Sequence, residues 1–250
     1  MPAATEQTRA RSGPVGWQAV RANIAPALIL QTLMLAVVAG YFASPSFAET
    51  LNRLAEIKRA YGLMFVVGAT VLAASILPEI FLVLFFQGGR VRRQNFRNLL
   101  FTAPVWAFAG ITVDFLYRGL AALLGDTSSV PVVVAKICLD QFVYNIFFAA
   151  PYSVLAYHWK NIGFDFAALW RAFTFRFYRD KILPTLFTNW AVWIPLMAMI
   201  YSLPLALQFP LFSLALTFWV LLLTYMTNRF AAETRRSAPM ADEPATATAS

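Results

Sequence analysis

Six polar residues lie inside stretches that are apolar enough to cross a lipid bilayer, and these residues could do chemistry. They are Glu79, Asp114, Arg118, Lys136, Asp140 and Gln141. A charge at the centre of a membrane helix costs about 2.5–3.5 kcal/mol on insertion scales, whereas a leucine there returns only about 0.3–0.6 kcal/mol. Because such groups generally face a bundle interior or a wet cavity, their chemistry would be ion pairing, solute binding along a polar path, or proton transfer.

The spacing of these residues predicts which of them can meet. Asp114 and Arg118 are four residues apart, as are Lys136 and Asp140, so each pair shares one face of a helix. The ion pairs can form within each helix or diagonally across an antiparallel hairpin. Glu79 has no partner on its own helix, and the adjacent Pro78 is expected to bend that helix. Two interpretations stay open: a polar path, or a self-neutralised clamp that fixes helix packing.

The elements that must position these residues are membrane helices. The chain has 250 residues, of which 60% are hydrophobic and 13% charged, against about 45–50% and 25% in soluble domains. Runs of about 20 apolar residues, the length that crosses a bilayer as a helix, predict six spans at 23–44, 63–87, 100–124, 131–157, 184–206 and 209–229. We therefore expect an all-α integral membrane protein, a bundle of about six transmembrane helices with one or two interfacial amphipathic helices.

The remaining segments complete the predicted organisation. Residues 1–22 form a polar tail, 45–60 an amphipathic connector and 61–230 the main bundle, and 231–250 are expected to be disordered. Ser46 and Glu49 fit a capping box at the start of the connector. A second aromatic stripe, at 164–181, predicts another interfacial helix, although both amphipathic segments could simply dock on their own bundle.

Charge predicts orientation and excludes some partners. With six spans, inner segments hold most of the 20 Lys and Arg residues, and outer segments hold only Arg53, Lys58 and Arg59. This bias places both termini on the cytoplasmic or equivalent side. It also explains the net charge of +8 without nucleic acid, for which no binding motif is present. Cys138 and His158, each the sole residue of its type, offer no metal cluster, so we expect neither metal nor cofactor.

The order of several motifs resembles the family named after the mitochondrial inner-membrane protein MPV-seventeen and the 22-kDa peroxisomal membrane protein. Lys136-x-x-x-Asp140-Gln141 is similar to the family's K-x-x-x-D-Q signature, and Tyr117-Arg118-Gly119-Leu120 to its W-Y-x-x-L element. Similar matches are Glu79, Gly110, the pair Trp190 and Trp193, and the late Trp219.

This resemblance implies a small-solute channel in a membrane. It also implies that four aromatic residues occupy positions of the family's motifs, namely Tyr117, Trp190, Trp193 and Trp219. The family is drawn with about four spans, so the predicted span at 23–44 would be an addition. Met197, Ile200 and Gln208 stand where the family has Gln, Asn and Arg, which implies a narrower or drier lumen.

The leading functional hypothesis is a channel-like or pore-like protein for small solutes or ions, with the six polar residues along its path. A proton-coupled transporter that titrates Glu79 or Asp140 is the first alternative, and a structural or assembly protein is the second. No nucleophile with a nearby base is evident, so we do not expect an enzyme or catalytic residues. The expected partners are the bilayer, small solutes and a second copy of the chain. The expected location is the bacterial cytoplasmic membrane, or otherwise the mitochondrial inner or peroxisomal membrane.

Overall fold

A computed structural model describes the backbone of residues 15–237 and the side chains of residue 24 and residues 27–221. This part of the chain is helical and contains no strand. Its helices are α1 Val15–Ala43, α2 Pro45–Tyr61, α3 Leu63–Phe86, α4 Arg93–Leu124, α5 Val130–Asn161, α6 Phe166–Ala172, α7 Phe175–Tyr201 and α8 Leu205–Ser237. The predicted all-α class is therefore confirmed for the described residues.

Four helices, α3, α4, α5 and α7, are long and apolar enough to cross a membrane. The segments Ala27–Ala43 and Pro45–Tyr61 meet at a bend of 109° and qualify only as one broken span. Within the residues whose side chains are described, the apolar part of α8 is Leu205–Leu221, and the helix itself continues to Ser237. Among the described residues the count is therefore four or five, and the expected six is not confirmed.

The ends of the chain differ from the expected boundaries. Helix α1 begins at Val15, inside the predicted polar tail, and α8 continues to Ser237, beyond the predicted start of the disordered segment at 231. Residues 1–14 and 238–250, on which the rest of those predictions falls, lie outside the described residues.

The two amphipathic segments also differ in detail from their prediction. Helix α2 is capped by Ser44, whose hydroxyl accepts a bond from the Phe47 N–H at 3.4 Å, and not by the expected box at Ser46. The cap lies earlier because Pro45, which lacks an N–H, takes the first helical position. The stripe at 164–181 is split between α6 and the start of α7, because a turn at Phe173 and Thr174 separates them.

Three spans change from α- to π-helical bonding at defined places. The π segments are Leu72–Ile76 in α3, Leu139–Ala149 in α5 and Tyr178–Ile182 in α7. Each ends two residues before a proline, namely Pro78, Pro151 and Pro184. A proline has no N–H and its ring clashes with the carbonyl one turn earlier, and the wider π turn relieves that clash without ending the helix. Pro78 therefore lies in a continuous span.

One proline leaves a carbonyl that a side chain satisfies. In the π segment of α5 the N–H of Ala150 bonds the carbonyl of Asn145, five residues earlier. By the same spacing Pro151 would leave the carbonyl of Ile146 without a partner. The hydroxyl of Tyr178 donates to that carbonyl at 2.9 Å. The start of α7 is thereby fixed against the middle of α5.

The bundle carries its polar residues inside and much of its apolar surface outside. The side chains of Asp114, Lys136, Asp140, Gln141 and Asn145 are all buried. Large apolar side chains such as those of Phe85, Leu100, Leu123 and Phe147 are exposed. A soluble monomer rarely presents so much apolar surface. This distribution is typical of helices that pack in lipid.

Candidate functional site

A cavity of about 260 Å³ lies between α3, α4, α5, α7 and α8, and we call it the central cavity. Polar groups line it from four helices: Thr70, Thr112, Asp140, Gln141, Tyr144, Asn145, Ser153, Thr185 and Asn189. Aromatic rings complete much of the wall, including those of Trp106, Tyr117, Phe148, Tyr152, Trp193 and Trp219. Few, precisely placed polar groups in an aromatic wall are the usual composition of a small-molecule site.

The π segment of α5 supplies more of the polar wall than any other element. It carries Asp140, Gln141, Tyr144 and Asn145, all of which face the cavity. The amide of Asn145 donates to the side-chain oxygen of Gln141 at 3.3 Å. Because π-helical turns are wider than α-helical turns, residues four and five apart can share one face, and such segments occur frequently at functional sites.

Asp140 is held by a residue from a distant part of the sequence. The hydroxyl of Tyr201, at the end of α7, donates to Asp140 Oδ2 at 2.7 Å. Both side chains are buried, with 5% and 1% of their surface exposed. The ring of Tyr117 packs edge-on against Tyr201 at 5.3 Å. The carboxylate is therefore positioned by α7 and α4 together.

Hydrogen bonds across the cavity hold α4 against α5. The hydroxyls of Thr112 and Tyr144 are 2.8 Å apart, and Thr112 also donates to the Ala109 carbonyl at 2.8 Å. Since a hydroxyl has one proton, Tyr144 must be the donor to Thr112. Below this pair, Tyr152 donates to the Val105 carbonyl at 2.9 Å. These bonds keep the cavity open between two packed helices.

Gly110 allows α3 and α4 to approach closely beside the cavity. A Cβ at this position would overlap the hydroxyl of Thr70 and lie 2.9 Å from its Cβ. Thr70 is 1% exposed and donates to the Val66 carbonyl at 2.6 Å, so it cannot easily turn away. Small residues at helix interfaces permit this kind of contact in membranes.

A second cleft, of about 360 Å³, holds the other predicted ion pair. Asp114 binds Arg118 at 2.5 Å, as the four-residue spacing predicts, and also Lys58 of α2 at 2.7 Å. The cleft is further lined by Arg59 and Asp126. Asp114 and Asp140 are both buried, but they line separate spaces. The expected single path through both hairpin helices is therefore divided.

The predicted pair of Lys136 and Asp140 is wrong. No ion pair joins them among the described residues, and the buried ammonium of Lys136 has no hydrogen-bond partner there. The carboxylate has another partner from a different helix, because the hydroxyl of Tyr201 donates to Asp140 Oδ2 at 2.7 Å.

Glu79 also lies apart from the central cavity. Its carboxylate accepts a bond from the amide of Asn95, at the start of α4, at 2.7 Å. Asn95 and Asp114 are 19 residues apart on α4, which corresponds to about 28 Å along the helix. Glu79 therefore has a partner from the next helix, and neither the cavity nor the second cleft includes it.

The aromatic motif positions gather around the cavity. Tyr117, Trp193 and Trp219 line it, and Trp190 donates to the backbone carbonyl of Gln141 at 3.1 Å. Sequence reasoning missed Tyr201, Thr112, Tyr144 and Asn145. The position of Asn145, one turn beyond Gln141 in the same polar stretch, was a usable signal, whereas nothing in the sequence links Tyr201 to Asp140.

The described residues contain no group of three His, Cys, Asp or Glu side chains that could hold a metal ion. The arrangement can instead bind a small molecule through one carboxylate, several amides and hydroxyls, and aromatic faces. Comparison with known proteins identified no relative, since no family model, no curated protein and no solved structure matches the chain.

Proposed function

We propose that this chain is a multi-pass membrane protein whose central cavity binds small solutes or ions and forms part of their route across the bilayer. The observation that supports this most is the cavity itself: a space of about 260 Å³ with an aromatic wall and several buried polar groups, inside a bundle whose outer surface is apolar. Burying several hydrogen-bonding groups in such a bundle is costly unless they serve packing or a solute. The resemblance to the MPV-seventeen family points in the same direction.

The charge of the cavity favours cations and neutral polar solutes over anions. Asp140 is the one charged side chain in its described lining. The sequence placed both signs along one path and so implied weak selectivity, but Arg118 lines the second cleft and Lys136 lines neither space. A lumen with a single acidic group should prefer cations, and Lys136, one turn away on α5, should moderate that preference.

A proton-coupled transporter remains the second candidate, and one observation favours it. Asp140 is a buried carboxylate hydrogen-bonded to Tyr201 at 2.7 Å inside a solute-sized cavity, which suits a group that gains and loses a proton. Glu79, the other proposed titrating residue, has no place in that cavity. If the protein has a structural role instead, the ion pairs of Asp114 would carry it. That the chain forms a homo-oligomer stays a prediction.

We further propose the orientation that the charge bias predicts, with both termini on the cytoplasmic or equivalent side. At one end of the bundle, Lys160 lies in the last turn of α5, Arg171 in α6 and Arg176 in the first turn of α7. The opposite end holds Lys58, Arg59 and Arg118 together with Asp126. The proposed membrane is the bacterial cytoplasmic membrane, with the mitochondrial inner or peroxisomal membrane as the alternative.

The test is flux through purified protein in liposomes. We expect the wild-type chain to pass small monovalent cations faster than anions, and Asp140→Asn to lower the cation flux and abolish the preference. Asp180→Asn is the matched control, because Asp180 pairs with Arg179 at 2.7 Å on the surface. If the wild-type chain passes no solute, or Asp140→Asn equals the control, the proposal fails. Uptake that needs a pH gradient and is lost in Asp140→Asn would select the transporter.

A further inference from the structure

The second cleft is separate from the central cavity, and its chemistry is different. Its charged side chains are Lys58, Arg59, Asp114, Arg118 and Asp126. Three cations therefore face two acids. The cleft lies where α2 meets α3, beside the last turns of α4 and the first turn of α8. It is thus at an end of the bundle, where a membrane interface would be.

Both acids in the cleft are already engaged. The two oxygens of Asp114 bind Lys58 and Arg118, at 2.7 and 2.5 Å. One oxygen of Asp126 accepts the backbone N–H of Leu205 at 3.2 Å, at the start of α8. Both oxygens of Asp114 are therefore used, and the cleft keeps a net positive charge because three cations face two carboxylates.

The guanidinium groups of Arg59 and Arg118 have donors to spare. Arg118 uses one nitrogen for Asp114 and its side chain is 49% exposed. Arg59 is exposed and has no partner among the described side chains. A guanidinium presents five N–H donors in a planar fork that matches phosphate oxygens. Two such groups around one cleft form a site for a phosphate-type anion.

The surroundings select a lipid as the source of that phosphate. Leu63, Leu205 and Ala206 form the apolar part of the cleft wall. Met64, the next residue on α3, is 80% exposed, and Tyr61 is 63% exposed. The acyl chains of a lipid whose phosphate is held by the arginines could therefore lie along the apolar side of α3. Basic pockets between membrane helices bind anionic head groups on the cytoplasmic or matrix side, and this cleft has the same chemistry at the opposite end of the bundle.

We propose that this cleft binds the head group of an anionic phospholipid, with Arg59 and Arg118 on the phosphate and Lys58 fixed by Asp114 behind them. The inference does not depend on the central cavity or on solute transport. It assigns a lipid to one end of the bundle, at the junction of α2 and α3. A bound lipid there would connect the bent helix pair to α4 and α8.

The test is binding of short-chain lipids to the purified full-length chain in a neutral detergent, measured by calorimetry. Dihexanoyl phosphatidylglycerol should bind at least about tenfold more tightly than dihexanoyl phosphatidylcholine or inorganic phosphate, because it alone combines a net negative charge with acyl chains. Arg59→Gln should weaken phosphatidylglycerol binding about tenfold, and Arg118→Gln at least as much. Arg53→Gln is the control, since Arg53 lies on the same helix but pairs with Glu49 on the surface.

Each outcome decides the assignment. Arg59 is exposed and has no ion pair or hydrogen bond to another described residue, so we expect its variant to fold and to be informative even if Arg118→Gln unfolds the chain. Equal binding of phosphatidylglycerol and phosphatidylcholine would overturn the proposal, as would unchanged binding in Arg59→Gln. Inorganic phosphate that binds as tightly as phosphatidylglycerol would overturn the lipid as the source and leave a site for a free phosphate-type anion.

Discussion

Replacing Gly110 with alanine should loosen the contact between α3 and α4 that forms one side of the central cavity. The new Cβ would lie 2.9 Å from Thr70 Cβ and 3.1 Å from its Cγ2, and would overlap the hydroxyl. Turning Thr70 aside would break its 2.6 Å bond to the Val66 carbonyl. Overpacking of this kind costs about 1–3 kcal/mol.

A matched control lies on the same helix. Gly119 has open space where its Cβ would be, so Gly119→Ala should be neutral or stabilise α4 by up to about 1 kcal/mol. Alanine brings the same helix propensity at both positions. The difference in unfolding free energy between the two variants, about 1–3 kcal/mol, therefore isolates the clash with Thr70.

The assay is reversible unfolding in mixed micelles, monitored by tryptophan fluorescence. It is repeated for Thr70→Gly alone and for the double variant Gly110→Ala with Thr70→Gly. Thr70→Gly removes all three atoms that the Cβ would meet, so the double variant should be more stable than the sum of the single effects by at least about 1 kcal/mol. Equal stability of Gly110→Ala and Gly119→Ala would refute the close contact, and strict additivity would refute the role of Thr70.

Two further substitutions test the contacts that fix the bundle. Asp114→Asn leaves the mostly buried ammonium of Lys58 without its partner and should lower the unfolding free energy by about 3 kcal/mol. Glu49→Gln, in an exposed pair, should cost less than about 1 kcal/mol. Similar losses for the two variants in the same micelle assay would contradict the pair of Lys58 and Asp114. Tyr178→Phe removes the donor to the Ile146 carbonyl and should cost about 1–3 kcal/mol, against no change for Tyr61→Phe, which is exposed.

The sequence could predict the contacts that are local in the chain. Asp114 and Arg118 pair because they are four residues apart on an unbroken part of α4, and α-helical geometry alone specifies such a pair. The burial of Asp140 and Gln141 could also be predicted, because polar residues in a long apolar span generally face the bundle interior and not the lipid.

Contacts between distant residues were beyond this reasoning. Lys58 reaches Asp114 because α2 folds back after the bend at the end of α1. The position of Lys58 in the sequence predicts only that it lies in an outer connecting segment. The partner of Asp140 is Tyr201, 61 residues away. Apolar periodicity sets which residues lie on one helix face but does not fix which helices are neighbours.

The π segments were not expected, although the sequence carried a signal for them. Each π segment precedes a proline by two residues. However, Pro104, Pro195 and Pro210 lie inside α-helices without one. A proline within a span therefore indicates a possible site for wider turns without specifying them.

The central claim is that the cavity is a polar, water-accessible space inside the membrane-embedded bundle, and cysteine labelling tests it most directly. In a Cys138→Ala background, Asn145→Cys would line the cavity, and Phe147→Cys would face outward, since Phe147 is 75% exposed. Both positions lie near the middle of the 32-residue helix α5, so their depth in the bilayer is matched.

The measurement is the rate at which a small cationic thiosulfonate modifies each cysteine in the protein reconstituted in liposomes. Thiols react as thiolates, which form in contact with water and not in hydrocarbon. We predict that the cysteine at position 145 is modified and that the cysteine at position 147 is not. An unreactive cysteine at 145, or a faster reaction at 147, would contradict the account of a polar route through the bundle.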